Sequence, residues 1–348
     1  MSRFLNKNLA ELKPYIPGEQ PQTRKYIKLN TNENPFPPSP KTIAAALAEL
    51  EKLNLYSDPE CGLFREALAE RFGVSKDMVF ASNGSDETLA FIFQAFSENG
   101  AAFADITYGF LPVYCSLYGV NACIIPLREN FFLDITDYFN IGRTVFIVNP
   151  NAPTGLAVKL SDIRRLLECN PDNLLVIDEA YVEFGAESSV SLLSGYDNLL
   201  IVGTFSKSYS LAGARLGYAV GGKELISALN RVRYSFNPYN VNRMTIAAGA
   251  AAVRDAAYFD FTRGEVIKNR EYATGALRKM GFQCTDSAAN FIFTEHPDIR
   301  GEDLYFRLRE AGILVRWFDK ERINNYLRIS VGTMEDMISL VETISKII

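Results

Sequence analysis

From about residue 61 to 221, short apolar runs alternate with amphipathic segments. This is the spacing of strand and helix that builds a largely parallel sheet covered on both faces. The apolar runs predict strands at 78–81, 101–104, 122–126, 144–148, 174–177, 199–203 and 217–220. Several are apolar at every position instead of alternating, as a strand is when both of its faces are buried. Between them, apolar residues at helical spacing predict helices at 63–72, 87–97, 111–118 and 161–169, the last capped by Ser161 with Asp162 in its first turn.

Past residue 221 the pattern changes to long helices at 224–233 and 242–280, the second broken near Asp255. A smaller α+β set follows: strands at 290–294, 313–318 and 326–331, with helices at 302–311 and 334–347. These elements predict a second, smaller domain. The proline-rich stretch from Asn34 to Pro40 suits neither helix nor central strand and reads as an extended connector.

Composition narrows the function classes. The 348 residues are 48% hydrophobic and 22% charged, enough apolar material for a folded core of about two domains. With 36 basic against 41 acidic residues and a net charge of -5, the chain lacks the positive field that holds nucleic acid. Its apolar runs fall short of the ~18 uncharged residues of a membrane span, and residues 1–13 mix charges with Asn instead of forming an export signal. A cytoplasmic location is expected, with neither nucleic acid nor membrane as partner. Five scattered cysteines predict reduced thiols. One histidine, His296, leaves little for a Ser-His-Asp triad or a His-rich metal site, so no metal is expected.

Parallel sheets bind ligands beyond the carboxyl ends of their strands, and there this chain is unusually polar. The run ending at Ala81 leads into Ser82-Asn83-Gly84-Ser85-Asp86-Glu87, a small-residue turn at a helix start that suits an anion; Ser85 and Asp86 are equally good helix caps. The run 174–177 ends in Asp178, a carboxylate that is costly there unless a cation or several donors meet it. The run 199–203 ends in Thr204-Phe205-Ser206-Lys207, with Arg215 nearby. A lysine at a buried strand mouth loses solvation, which lowers its pKa and frees its amine for a carbonyl. A lysine, a carboxylate and two sets of phosphate donors are what pyridoxal phosphate needs for its aldehyde, its pyridinium nitrogen and its phosphate. A Gly217–Lys223 match to G-x-x-x-x-G-K lacks the following Ser/Thr, and no G-x-G-x-x-G follows a strand, so nucleotide loops are not expected.

Asn149-Pro150-Asn151-Ala152-Pro153-Thr154-Gly155, then Asp178-Glu179-Ala180-Tyr181, then Thr204-Phe205-Ser206-Lys207 with Arg215 resemble, in order and spacing, the fold-type-I pyridoxal-phosphate aminotransferases. Leu29-Asn30-Thr31-Asn32-Glu33-Asn34-Pro35 and the stretch from Tyr56 to Cys61 narrow the resemblance to the histidinol-phosphate aminotransferases. The resemblance implies a three-layer αβα large domain with a mostly parallel sheet at 36–254, and a smaller α+β domain made of 1–35 with 255–348. It implies pyridoxal 5'-phosphate joined to Lys207, which also moves the proton. It puts Asp178 on the pyridine nitrogen, Tyr181 on the phenolic oxygen and Tyr108 stacked on the ring. Gly84, Ser85, Asp86, Thr204, Ser206 and Arg215 would hold the phosphate, with Tyr56 reaching it from the second subunit of a homodimer. Arg316 and Arg328 would clamp the carboxylate or phosphate of a small-molecule amino donor and of a 2-oxo acid acceptor, while Tyr15 and the Asn32-Glu33-Asn34 turn close over the site.

One position departs from the family pattern: Asn usually stands immediately before Pro-Thr-Gly and bonds the phenolic oxygen, and here that residue is Ala152. Asn151 is the candidate to take over. The implied reaction is transfer of the amino group of L-histidinol phosphate to 2-oxoglutarate. An aromatic amino-acid aminotransferase, a threonine-phosphate decarboxylase and a non-catalytic cofactor-binding module remain open alternatives.

Overall fold

The computed structural model describes residues 2–6, 9–21 and 24–348. After the short strand β1 (Ile27–Lys28), the chain builds β2 (Val79–Ser82), β3 (Ala101–Ala104), β4 (Ala122–Ile125), β5 (Thr144–Val148), β6 (Leu175–Asp178), β7 (Leu199–Thr204) and β8 (Gly217–Gly221). These last seven form one sheet in the order β2-β8-β7-β6-β5-β3-β4, in which β8 alone runs against the rest. Six parallel strands therefore deliver their carboxyl ends to one edge.

The period of two along each strand decides which layer a side chain joins. Leu175, Ile177, Leu199 and Ile201 pack with helices α2 (Gly62–Phe72), α5 (Leu160–Glu168) and α7 (Arg243–Arg254). Their neighbours Val176, Leu200 and Val202 face the other way, onto α3 (Ser85–Phe96), α4 (Leu111–Tyr118) and α6 (Lys223–Phe236). The result is a three-layer αβα body, as the sequence predicts. Edge strand β4 is the exception that explains itself: with no neighbour beyond it, Ala122 and Ile124 are exposed.

The rest of the chain forms a second core. Helix α8 (Ala256–Lys279), strands β9 (Gln283–Cys284) and β10 (Phe291–Glu295), helix α9 (Gly301–Glu310), strands β11 (Ile313–Leu314), β12 (Arg316–Trp317) and β13 (Leu327–Ser330), and helix α10 (Met334–Ile347) follow in order. Strands β12-β13-β10-β9 make an antiparallel sheet whose Phe291, Ile292 and Ile329 are buried with Val266, Leu304 and Leu340 of the helices. Strand β11 pairs instead with β1, in parallel, which ties the N-terminal segment to this body. A third set of buried side chains, Ala104, Ile106 and Leu127 with Phe293 and Ile323, joins the two bodies beside the strand ends.

Three local expectations need correction. The predicted strand 313–318 is two strands that pair with different sheets. Ser161 lies inside α5, which starts after Lys159 with no side-chain cap. Pro40 is not part of an extended connector: it opens helix α1 (Pro40–Leu47), where Ser39 accepts from the Thr42 N–H and proline at the first position needs no donor.

Candidate active site

A cavity of about 700 Å³ lies where the strand ends of the large sheet meet the N-terminal segment and β12–β13. Lys207, Asp178 and Tyr181 line it together with Ser85, Asp86, Tyr108, Thr204, Ser206 and Arg215. From the other side come Tyr15, Asn32, Arg316 and Arg328.

Asp178 is the last residue of β6, held between Val148 and Val202 in the ladder. Its Oδ1 accepts from the Ala180 N–H at 3.0 Å. Burial pushes its carboxyl up to about 7, with the charges of Asp86 and Glu179 adding to the effect. One strand over, β7 ends at Thr204. Phe205 turns into the core, edge-on to Phe64 and stacked on Tyr209 at 4.1 Å, which leaves Thr204, Ser206 and Lys207 on the cavity wall. Lys207 Nζ donates to the Thr31 carbonyl at 3.2 Å and lies 5.8 Å from the Tyr181 ring centre. Burial draws its amine down to about 8, helped by Arg328, while Glu33 opposes the shift.

The anion end is built at the start of α3. Gly84 has φ +80, a backbone conformation that residues with a Cβ rarely adopt, so the turn favours glycine. Asp86 accepts from Tyr108 Oη at 2.6 Å and from Arg215 Nη2 at 3.1 Å. What Asp86 can offer an anion is therefore its backbone N–H, while its side chain orients Tyr108 and Arg215. Burial and the Asp86 charge push the Tyr108 hydroxyl well above its ordinary value, so it stays protonated.

On the opposite wall, Arg316 and Arg328 are directly paired across β12 and β13, which places both guanidiniums on one face 5.5 and 5.6 Å from the Phe318 ring centre. Arg328 Nη2 donates to the Asn30 carbonyl at 3.1 Å, but its Nε is buried with no partner. Burial lowers the Arg328 pKa, and the arginine nevertheless stays charged. Arg316 reaches the carbonyls of Ile16 and Pro17 at 3.2 and 3.4 Å. Tyr15 stacks on Phe110 at 4.4 Å above Tyr108.

Two expected residues stand apart. Asn151 is not among the lining residues: its amide ties the 149–155 loop to the segment after β3, donating to Ile106 O and Thr154 Oγ1 and accepting from Thr107 Oγ1 at 2.9, 3.0 and 2.8 Å. Ala152, one residue on, lines the cavity in its place. Tyr56 is 81% exposed and stacked on Tyr239 at 4.5 Å, outside the cavity of its own chain. Asn34, in the turn expected to close over the site, donates to the Lys207 carbonyl at 3.0 Å. One contributor has no signal in the sequence. Lys320 lines the cavity from the charged β12–β13 loop, where a lysine ordinarily reads as solvent-facing.

The residues fit pyridoxal phosphate. A buried carboxylate with a single backbone donor awaits a cation such as a protonated ring nitrogen, a partly deprotonated lysine stands at the neighbouring strand end, and hydroxyls with Arg215 face the anion end. Helix-covered parallel sheet, strand-end lysine and carboxylate, and a facing arginine pair define an aminotransferase of fold type I, and residues 24–344 match the family of class I and II aminotransferases. Within it, a histidinol-phosphate aminotransferase of Clostridium acetobutylicum is 47% identical over the full length of both chains, and one of a Marinomonas species is 49% identical over 98% of each. The chain belongs to the histidinol-phosphate aminotransferase family. The crystal structure of the Sinorhizobium meliloti histidinol-phosphate aminotransferase in complex with pyridoxal-5'-phosphate is similar with a TM-score of 0.85, at 25% identity over 93% of each chain.

Proposed function

We propose that this chain transfers the amino group of L-histidinol phosphate to 2-oxoglutarate in a ping-pong reaction, yielding imidazole-acetol phosphate and L-glutamate, with pyridoxal 5'-phosphate bound at the strand ends. The bound cofactor supplies an aldehyde for the amine and a ring that accepts electrons from the donor's α-carbon. Lys207, drawn down to about 8 by burial, holds a fraction of free amine near neutral pH and would be the group that moves the proton at the donor's α-carbon. Asp178, whose carboxyl burial pushes up to about 7, would meet the protonated ring nitrogen. Tyr181 would donate to the phenolic oxygen and Tyr108 would cover the ring. Ser85, Thr204, Ser206 and Arg215 would hold the phosphate.

The observation that carries the reading is the shared cavity: the Asp178–Lys207 pair on adjacent strand ends faces the cross-strand arginine pair. Arg316, Arg328 and Lys320 form a cationic wall that gains more from a dianionic phosphate than from a carboxylate. The reading assigns 36–254 to the cofactor-holding domain and 1–35 with 255–348 to the domain that closes on it. It also makes the chain a cytoplasmic homodimer in which Tyr56 serves the neighbouring site. Exposed Leu50, Leu53, Leu55 and Phe236 near the Tyr56–Tyr239 stack support a covered face there, and no helix among the described residues is long and apolar enough to cross a membrane. Initial rates against both substrates test the reaction: glutamate should appear only with both present, with parallel double-reciprocal lines. Converging lines, or no glutamate, would contradict the reading.

A further inference from the structure

Ala152 removes the side-chain amide expected at the cofactor's phenolic oxygen, and the amide of Asn151 is committed to Ile106, Thr107 and Thr154. An amide does reach this corner from a different part of the chain. Asn32 Nδ2 donates to Tyr181 Oη at 3.1 Å. The direction of that amide is set from its other end, where Ser330 Oγ donates to Asn32 Oδ1 at 3.1 Å and accepts from the Asn32 backbone N–H at 2.8 Å. Asn290 Nδ2 donates to the Asn32 carbonyl at 3.0 Å, and Asn32 is buried with φ +54, a conformation asparagine tolerates better than most residues.

A tyrosine oxygen that accepts from an amide keeps its own hydrogen for another acceptor. Tyr181 lines the cavity, and burial raises the pKa of its hydroxyl, so that hydrogen is present to be donated. We infer that Asn32 is a positioning residue: its amide holds Tyr181 as a donor toward the cofactor's phenolic oxygen, doing through the tyrosine what an asparagine at position 152 would do directly. Ser330 and Arg328 lie two apart on β13 and share a face, so the strand that carries a substrate-facing guanidinium also holds Asn32 in place. The inference rests on the pyridoxal-phosphate reading.

The test is the pH titration of the bound cofactor's absorption in the holoenzyme without substrate. Variants are Asn32→Ala, Asn32→Asp, Tyr181→Phe and the double variant Asn32→Ala with Tyr181→Phe. Loss of the amide weakens the tyrosine's donation and should raise the titration midpoint by about half a pH unit. The carboxylate introduced by Asn32→Asp would accept the tyrosine hydrogen and turn it away, raising the midpoint about as far as Tyr181→Phe does, by roughly one to two units. Because Asn32 acts through Tyr181, Asn32→Ala should add nothing in the Tyr181→Phe background. A midpoint unmoved by both Asn32 variants while Tyr181→Phe shifts it overturns the inference, as does a full Asn32→Ala shift without Tyr181. If Asn32→Ala does not fold, Ser330→Ala, which frees the amide to rotate, must give a smaller upward shift, and no shift overturns the inference. A wild-type chain that takes up no cofactor overturns the underlying reading and this inference with it.

Discussion

The two walls of the cavity are assembled by different means. On the large-sheet wall, Asp178, Thr204, Ser206 and Lys207 sit at or within a few residues of strand ends, so the parallel topology alone brings them together. On the facing wall, Arg316, Arg328, Asn32 and Tyr15 meet only through cross-strand register and contacts such as Asn32 to Tyr181, 149 positions apart. The first wall carries the large shifts in acidity, Asp178 to about 7 and Lys207 to about 8, because its groups stop where the buried sheet stops. The second carries fixed positive charge, enclosed at Arg328 and more open at Arg316. Under the proposed function, the chemistry falls to the first wall and recognition of the substrate's anion to the second.

Perturbing each wall should therefore give different signatures. The largest effect is expected from Lys207→Met, which should lower turnover by at least about 10³-fold and remove the borohydride-reducible absorption of the bound cofactor. Retained turnover with an intact reducible band would put the reacting amine elsewhere.

The same substitution should stabilise the cofactor-free protein. Lys207 has a folded pKa of about 8 against 10.5 for the ordinary side chain. Between those values the unfolded chain binds a proton that the folded chain has shed, so stability rises with pH across that window. The destabilisation is full below pH 8, up to about 3 kcal/mol from a shift of this size, and vanishes above pH 10.5. Urea unfolding of the cofactor-free protein should thus show Lys207→Met more stable at pH 7, with the gain shrinking toward pH 10. A gain independent of pH would mean that packing, not charge, is responsible.

For the facing wall, Arg328→Gln should reduce kcat/KM for the phosphate donor by roughly 10²-fold, because Arg328 is enclosed and its Nε has no protein partner. Arg316→Gln, whose guanidinium is more exposed and tied to backbone carbonyls, should cost about tenfold. Arg316→Gln should leave the cofactor's titration close to wild type, whereas Arg328→Gln should move it upward, because the Arg328 charge helps hold the Lys207 pKa down. Equal losses from the two arginines would erase the distinction between an enclosed and an open guanidinium. The smallest effect is expected from Tyr56→Phe, about fivefold in cofactor affinity. Sedimentation of the wild type as a fully active monomer would remove Tyr56 from the site.

The same contrast explains how much of the molecule is legible in the sequence. Strands β3 and β5 and helices α4 and α10 match their predicted limits, since fully apolar runs and helical periodicity are local signals. The strand-end residues are legible for the same reason. Arg316 and Arg328 are identified through resemblance alone, because their pairing depends on a register that no local pattern encodes. Where Asn151 points is not legible, because proximity in sequence says nothing of direction: its amide bonds Ile106, Thr107 and Thr154, and Ala152 lines the cavity. Lys320 escapes because its place on the cavity lies in what distant segments bring to it.

The most direct test of the account is the ratio of specificity constants for histidinol phosphate and phenylalanine, with 2-oxoglutarate as acceptor and glutamate as the measured product. A dianion facing Arg316, Arg328 and Lys320 should exceed a carboxylate donor by at least about tenfold, or roughly 1.4 kcal/mol of transition-state binding. Equal constants for the two donors, or carbon dioxide release from threonine phosphate without glutamate formation, would contradict it.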